Sequence, residues 1–282
     1  MKIYFSLTVF LVLIGCSFDN KSGIWKNEND PLSSKKDKTF AEFKTLSSGN
    51  ESFNEIIPFN KKKKIKLSNR INPINWTDIF FNAANNYENF DYKDSNILNF
   101  KSKKISGKKI SNYILKENDN VIMTNDLGDI IVYSLNKKKI ISNFNFYQKK
   151  YKRIKKKLNL IVEDNKVFVS DNIGYLYSFN YKINKILWAK NYKIPFRSNL
   201  KIIKDKLVGA NQNNTLYFFD KNTGDILKQI PTEESIVKNK FENNLSTSDN
   251  FTFFLNTYGT LYTINNKTLK ILWFLNLNQS SN

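Results

Sequence analysis

One side chain is placed for covalent chemistry: Cys16, the only thiol among 282 residues, which follows Leu13, Ile14 and Gly15 at the end of an apolar run. The rest of the reactive repertoire is missing. With no histidine, Ser-His-Asp and Cys-His nucleophiles, HExxH zinc sites and imidazole ligation are excluded. A lone cysteine forms no intramolecular disulfide, CxxC redox pair or thiolate-rich zinc site. The nine glycines stand singly and neither GxxxxGK[ST] nor GxGxxG occurs, so no glycine-rich loop cradles a phosphate. These residues point away from an enzyme, with no cofactor and no metal expected.

The setting of Cys16 says what its sulfur is for. Lys2 opens the chain, and Ile3 to Ile14 are interrupted only by Ser6 and Thr8, which is the layout of a secretory signal. The run is too short for a spanning helix, which needs about 20 apolar residues. Leu13-Ile14-Gly15-Cys16 resembles the bacterial lipobox, although a chance cysteine near the end of an ordinary signal gives the same four letters. The resemblance implies cleavage between Gly15 and Cys16, diacylglycerol on the Cys16 sulfur and a further acyl chain on the new amino group. Two or three chains anchor stably where one is marginal. The absence of Asp at position 17 favours sorting to the outer membrane.

The formal charge of +20 would ordinarily suggest nucleic acid, but an exported chain argues against that partner. The excess is mostly lysine. Two runs are dense, "NKKKKIKL" at 60–67 and "YQKKYKRIKKKL" at 147–158. Each reads either as a solvated linker or as a contact for anionic lipid head groups, at about 1 kcal/mol per basic residue near a charged surface.

Three regions follow: a lipoprotein signal over 1–15, a flexible polar tether over 16–70 without sustained period, and a repeating domain over 71–282. Aligned on Gly128, Gly174, Asn214 and Gly259, four units run without gaps. Two residues on stand Ile130, Leu176, Leu216 and Leu261; three on, Ile131, Tyr177, Tyr217 and Tyr262; five on, Tyr133, Phe179, Phe219 and Ile264. Twelve on, all four have isoleucine, at Ile140, Ile186, Ile226 and Ile271. The anchors lie 46, 40 and 45 residues apart, a propeller-blade period rather than a helical-repeat one. In the second unit "LNLIVED", "KVFVSD", "YLYSFN" and "KILWAKN" predict four short strands separated by Asp, Asn and Gly turn signals. A single blade cannot bury both faces, so neighbours must stack.

The pattern anchor-x-Leu-Tyr-x-Phe-Asp-x-x-Thr-Gly-x-Ile-Leu-Trp, clearest in "NNTLYFFDKNTGDILK" and "YGTLYTINNKTLKILW", resembles the repeat of the PQQ-like (quinoprotein-like) β-propellers. Joined to a lipobox, it resembles the BamB-like lipoproteins of the outer-membrane β-barrel assembly machinery. The stretch "INWTDIFFNAANNYENF", 74–90, is similar to the Trp- and Asn-rich segment before the first blade of such proteins. The fold class implied is all-β, a propeller of four-stranded antiparallel blades. The function implied is a non-enzymatic scaffold on the periplasmic face of the outer membrane, with the barrel-insertion subunit and unfolded outer-membrane proteins as partners. No loop matches a partner-binding motif position by position, so those residues stay unassigned. Two other classes stay open: a quinoprotein dehydrogenase holding PQQ, and a periplasmic binding propeller with another partner. Trp188 and Trp273 fall in outer-strand positions, where a packing role is expected.

The count of blades is the last expectation. "NILNFKSKKIS" at 96–106 places Ile97 43 residues before Ile140, predicting an orphan fourth strand. Four complete blades and one extra strand make an incomplete propeller, expected to be truncated or to need a partner over its open edges.

Overall fold

The structure, a computed structural model, describes residues 44–45, 67, 69–72, 75–91, 98, 100–147, 151, 154–233 and 241–278. Gly15, Cys16, the signal and most of the tether therefore lie outside the described residues. So do Ile97 and, apart from Leu67, the basic run at 60–67.

Strand β1 (Lys44–Thr45) precedes four sheets in chain order. The first holds β2 (Ile110–Glu117), β3 (Asn120–Asn125), β4 (Asp129–Ser134) and β5 (Lys139–Asn145). The second holds β6 (Leu158–Glu163), β7 (Lys166–Asp171), β8 (Tyr175–Asn180) and β9 (Lys185–Asn191). The third holds β10 (Lys201–Ile203), β11 (Lys206–Ala210), β12 (Thr215–Asp220) and β13 (Ile226–Pro231). The fourth holds β14 (Asn244–Thr247), β15 (Phe251–Leu255), β16 (Thr260–Asn265) and β17 (Ile271–Asn276). Each is a four-stranded antiparallel meander in sequence order, and β1 adds to the edge of β17 in parallel. Among the described residues the protein is all-β, with four propeller blades. Among the described residues there is no helix, hence none long and apolar enough to cross a membrane.

The repeat has a physical reading in the turns. The alignment anchor is the residue before or just into the third strand, where the backbone is left-handed: φ is 89° at Gly128, 107° at Gly174, 59° at Asn214 and 79° at Gly259. Glycine takes this conformation freely and asparagine is the usual substitute. Ten residues on, Lys138, Asn184, Gly224 and Leu269 again have positive φ, closing the turn into the fourth strand. That turn is capped by the residue six after the anchor: Ser134 Oγ, Asn180 Oδ1, Asp220 Oδ1 and Asn265 Oδ1 each accept from backbone N–H groups two or three residues ahead. A bulge then shifts the register by one in every blade. It makes the five-on and twelve-on residues cross-strand partners, Tyr133 with Ile140, Phe179 with Ile186, Phe219 with Ile226 and Ile264 with Ile271. The five-on and twelve-on columns of the alignment are thus one contact.

Gly224 is the position where this turn tolerates least. It combines a φ of 76° with a packed neighbour: a Cβ there would meet the Trp188 ring at 2.5 Å. Gly224→Ala is expected to destabilise by roughly 2–4 kcal/mol, the left-handed penalty plus overpacking, read from a urea midpoint. An unchanged midpoint would place the Trp188 ring elsewhere.

Alternation decides which side chains meet between blades. From the second blade, Tyr177 and Phe179 face the first, against Leu115, Ile122, Ile130 and Val132. The Phe144 and Phe179 rings stack at 4.2 Å, and Phe146 and Tyr177 at 4.6 Å. The opposite face offers Ile161, Phe168 and Leu176 to Leu207, Tyr217 and Phe219 of the third blade. Burying each large apolar side chain stabilises by roughly 1.5–3 kcal/mol.

The segment at 75–85 ties the first strands together. Trp76 exchanges backbone hydrogen bonds with Lys116 of β2, and Val162 of β6 donates to the Thr77 carbonyl at 2.9 Å. Lys201 of β10 donates to Asp78 Oδ2 at 2.7 Å and to the Asn82 carbonyl at 3.0 Å. Thr247 of β14 donates to the Ala83 carbonyl at 2.8 Å, and Asn85 Nδ2 to the Leu245 carbonyl at 2.8 Å. One short stretch therefore touches β2, β6, β10 and β14 in turn. Phe81, with a φ of 77°, is a strained residue, held by Trp76 and Phe90 at 5.1 and 5.2 Å between ring centroids.

Among the described residues the one extra strand is β1. The described part of the stretch at 96–106, 98 and 100–106, forms no strand. Instead Ile105, with Ile110, packs on Met123, Ile131 and Tyr133, and the Phe100 ring lies 6.2 Å from that of Tyr133. Ile105 and Phe100 thus lie against the face of the first blade that turns away from the second.

Candidate functional site

Four loops of one construction lie at the same end of the blades, between the second and third strands. In each, the residue three before the anchor is a buried Asn or Asp whose side chain folds back onto the loop. Asn125 Oδ1 accepts from Leu127 and Asp129, Asn211 Oδ1 from Asn213 and Thr215, and Asn256 Oδ1 from Tyr258 and Thr260. Asp171 Oδ1 accepts from Ile173, Gly174 and Tyr175 at 2.7–2.8 Å. These Asx turns satisfy the buried backbone and fix the loops. The connections that lead from each fourth strand to the next blade emerge at this same end, because the strands alternate in direction.

Asp171 is the one carboxylate among the four caps. Its second oxygen accepts a hydrogen bond from the Tyr147 hydroxyl. Burial pushes the Asp171 carboxyl upward against the hydrogen bonds it accepts, and burial with the nearby negative charge pushes the Tyr147 phenol upward too. Lys156 lies 5.3 Å from the Tyr147 ring centroid and donates to the Tyr151 carbonyl, and burial holds its amine below the usual lysine range. Part of the basic run at 147–158 is thus built into the junction of the first two blades.

At the third and fourth blades the fastening is neutral and acidic. Thr257 Oγ1 donates to Asn214 Oδ1 at 2.9 Å, and Glu233 Oε2 accepts from Asn256 Nδ2 at 3.1 Å and Thr260 Oγ1 at 3.0 Å. Between the second and third blades, the Tyr192 hydroxyl donates to the Gly224 carbonyl, and burial pushes its phenol up to about 12.

The structure brings together none of the residues read as chemically active, since Cys16 and Gly15 fall outside the described residues. Trp188 donates from Nε1 to the Lys221 carbonyl at 3.1 Å and packs beside Phe168. Trp273 pairs with Thr263 in the sheet, its ring 6.5 Å from Phe253. Both are packing residues. A PQQ–calcium centre, which the fold suggests, finds no fitting donor set: among the described residues no three His, Cys, Asp or Glu side chains converge. The buried carboxylates Asp78, Glu117 and Asp171 already accept, respectively, from Lys201, from Tyr181 with the Asn165 N–H, and from Tyr147 with three backbone N–H groups. The buried Lys201–Asp78 pair escaped sequence reasoning, yet one signal was there: Lys201 occupies the repeat position of Leu115 and Ile161.

No family model matches the chain, and no curated protein matches it. Among solved structures, the quinohemoprotein alcohol dehydrogenase from Comamonas testosteroni is similar, with a TM-score of 0.57 and 10% identity over 72% of this chain and 41% of that one. The computationally designed Ika8 protein is similar at a TM-score of 0.50 and 18% identity, over 60% of this chain and 49% of that one. The chain thus spans less than half the length of either. At these identities the likeness is one of fold: four-stranded antiparallel propeller blades.

Proposed function

We propose that this chain is a lipid-anchored, non-enzymatic scaffold on the periplasmic face of the outer membrane, acting with the BamB-like role of receiving and handing on outer-membrane β-barrel proteins. The observation that carries the reading is a conjunction. A propeller whose loop end is framed by rigid Asx turns follows Leu13-Ile14-Gly15-Cys16, a sequence that resembles a lipobox. Such a face offers fixed loops for a folded partner, and exposed strand edges offer main-chain groups to an extended client. The barrel-insertion subunit is the folded partner proposed, and unfolded outer-membrane proteins are the clients. Affinity capture of the lipidated protein from solubilised outer membranes is expected to recover the barrel-insertion subunit. Capture of stoichiometric PQQ instead would support the dehydrogenase reading, and capture of a different periplasmic partner alone would overturn the assembly role.

A further inference from the structure

We propose that a basic cavity at the junction of the first two blades binds a phosphate-bearing anion. The cavity has a volume of about 310 Å³, and its walls include Lys109, Lys155, Lys156 and Lys157 against a single carboxylate, Asp126. That volume lies at the small end of ligand pockets, enough for a diphosphate or a phosphorylated head group and too small for a macromolecular surface.

The lysines stand on a rigid frame. Lys156 N–H donates to the Asp126 carbonyl at 2.9 Å, from the loop of the first blade. Asn172, from the loop of the second blade, accepts from Lys157 N–H at 2.9 Å and donates to the Lys155 carbonyl at 3.1 Å. Pinned on both sides, this stretch alternates: Lys156 is buried beneath, while Lys155 and Lys157 are exposed. Glu242 pairs with Lys157. Among the described residues, Lys109 and Lys155 have no carboxylate at ion-pair distance. Ser111, Asn112 and Asn159 add neutral polar groups to the wall.

Lys156 and Lys157 are already engaged, by the Tyr151 carbonyl and by Glu242, which leaves Lys109 and Lys155 to donate charge-assisted hydrogen bonds that one dianion can accept together. The backbone that carries Lys155 is fixed, so the ordering that opposes binding is that of the exposed lysine side chains. The site therefore selects a compact, multiply charged anion, either a free phosphate compound or a phospholipid head group, and it stands independently of the assembly role.

The test uses the full chain in nonionic detergent, titrated calorimetrically at physiological salt with inorganic pyrophosphate and, separately, with mixed micelles containing phosphatidic acid, whose head group is a phosphomonoester. Saturable binding is expected for at least one probe, weakened about tenfold or more in Lys109→Gln/Lys155→Gln and unchanged in Lys204→Gln/Lys267→Gln, with circular dichroism showing that both variants fold. Cavity-dependent binding of pyrophosphate assigns a free phosphate ligand, and cavity-dependent binding of the lipid alone assigns a head group. Equal weakening in both variants, or no saturable binding of either probe, overturns the proposal.

Discussion

Replacing Lys201 with methionine is expected to destabilise the propeller by about 3–5 kcal/mol, because it leaves Asp78 buried without its cation. The two side chains are 0% and 4% exposed and 2.7 Å apart, and Lys201 also holds the Asn82 carbonyl. Burial pushes the Asp78 carboxyl up and the Lys201 amine down, each opposed by the charge of and hydrogen bond with the other. The second half of the prediction follows from those directions. The double variant Asp78→Leu/Lys201→Met removes both charges together and is expected to recover most of the loss. For a domain of this size the single variant should melt lower by roughly 10 °C, with the double variant close to the parent. A single variant as stable as the parent would mean that the segment at 75–85 is not seated on the third blade.

The other large effect is all-or-none. Cys16 is the only thiol in the chain, so Cys16→Ser is expected to abolish labelling by radioactive palmitate and to leave the protein uncleaved or released from the membrane. Surviving label would remove the anchor from the account.

The blades were legible because their constraints are local and recur. The strands foreseen in the second unit coincide with β6 to β9. The alignment columns mark real features: the left-handed backbone at Gly128, Gly174, Asn214 and Gly259, and the cross-strand pairing that the bulge creates. What was illegible depends on distance or on missing local signal. Asp78 and Lys201 lie 123 residues apart, and nothing beside Asp78 marks it as buried. Strand β1 has two residues, Lys44 and Thr45, with no β pattern of their own; the edge of β17 makes them a strand. At 96–106 the strand expected around Ile97 lies partly outside the described residues, and 98 and 100–106 form no strand. Spacing reports that side chains seek burial, and Ile105 finds it by packing on Met123, Ile131 and Tyr133. The caps at Asn125, Asp171, Asn211 and Asn256 each stand three residues before an anchor, but only their hydrogen bonds give them a role.

The scaffold reading is tested most directly by photo-crosslinking in intact cells, with a photoreactive residue placed at one exposed position at a time. Leu127 and Tyr258, 37% and 38% exposed, mark the loop end; Asp164 and Lys204, in the two-residue turns after β6 and β10, mark the other. The account predicts adducts with the barrel-insertion subunit from Leu127 or Tyr258 and none from Asp164 and Lys204. Adducts from Asp164 and Lys204 alone, or no adduct with that subunit from any of the four, would contradict it.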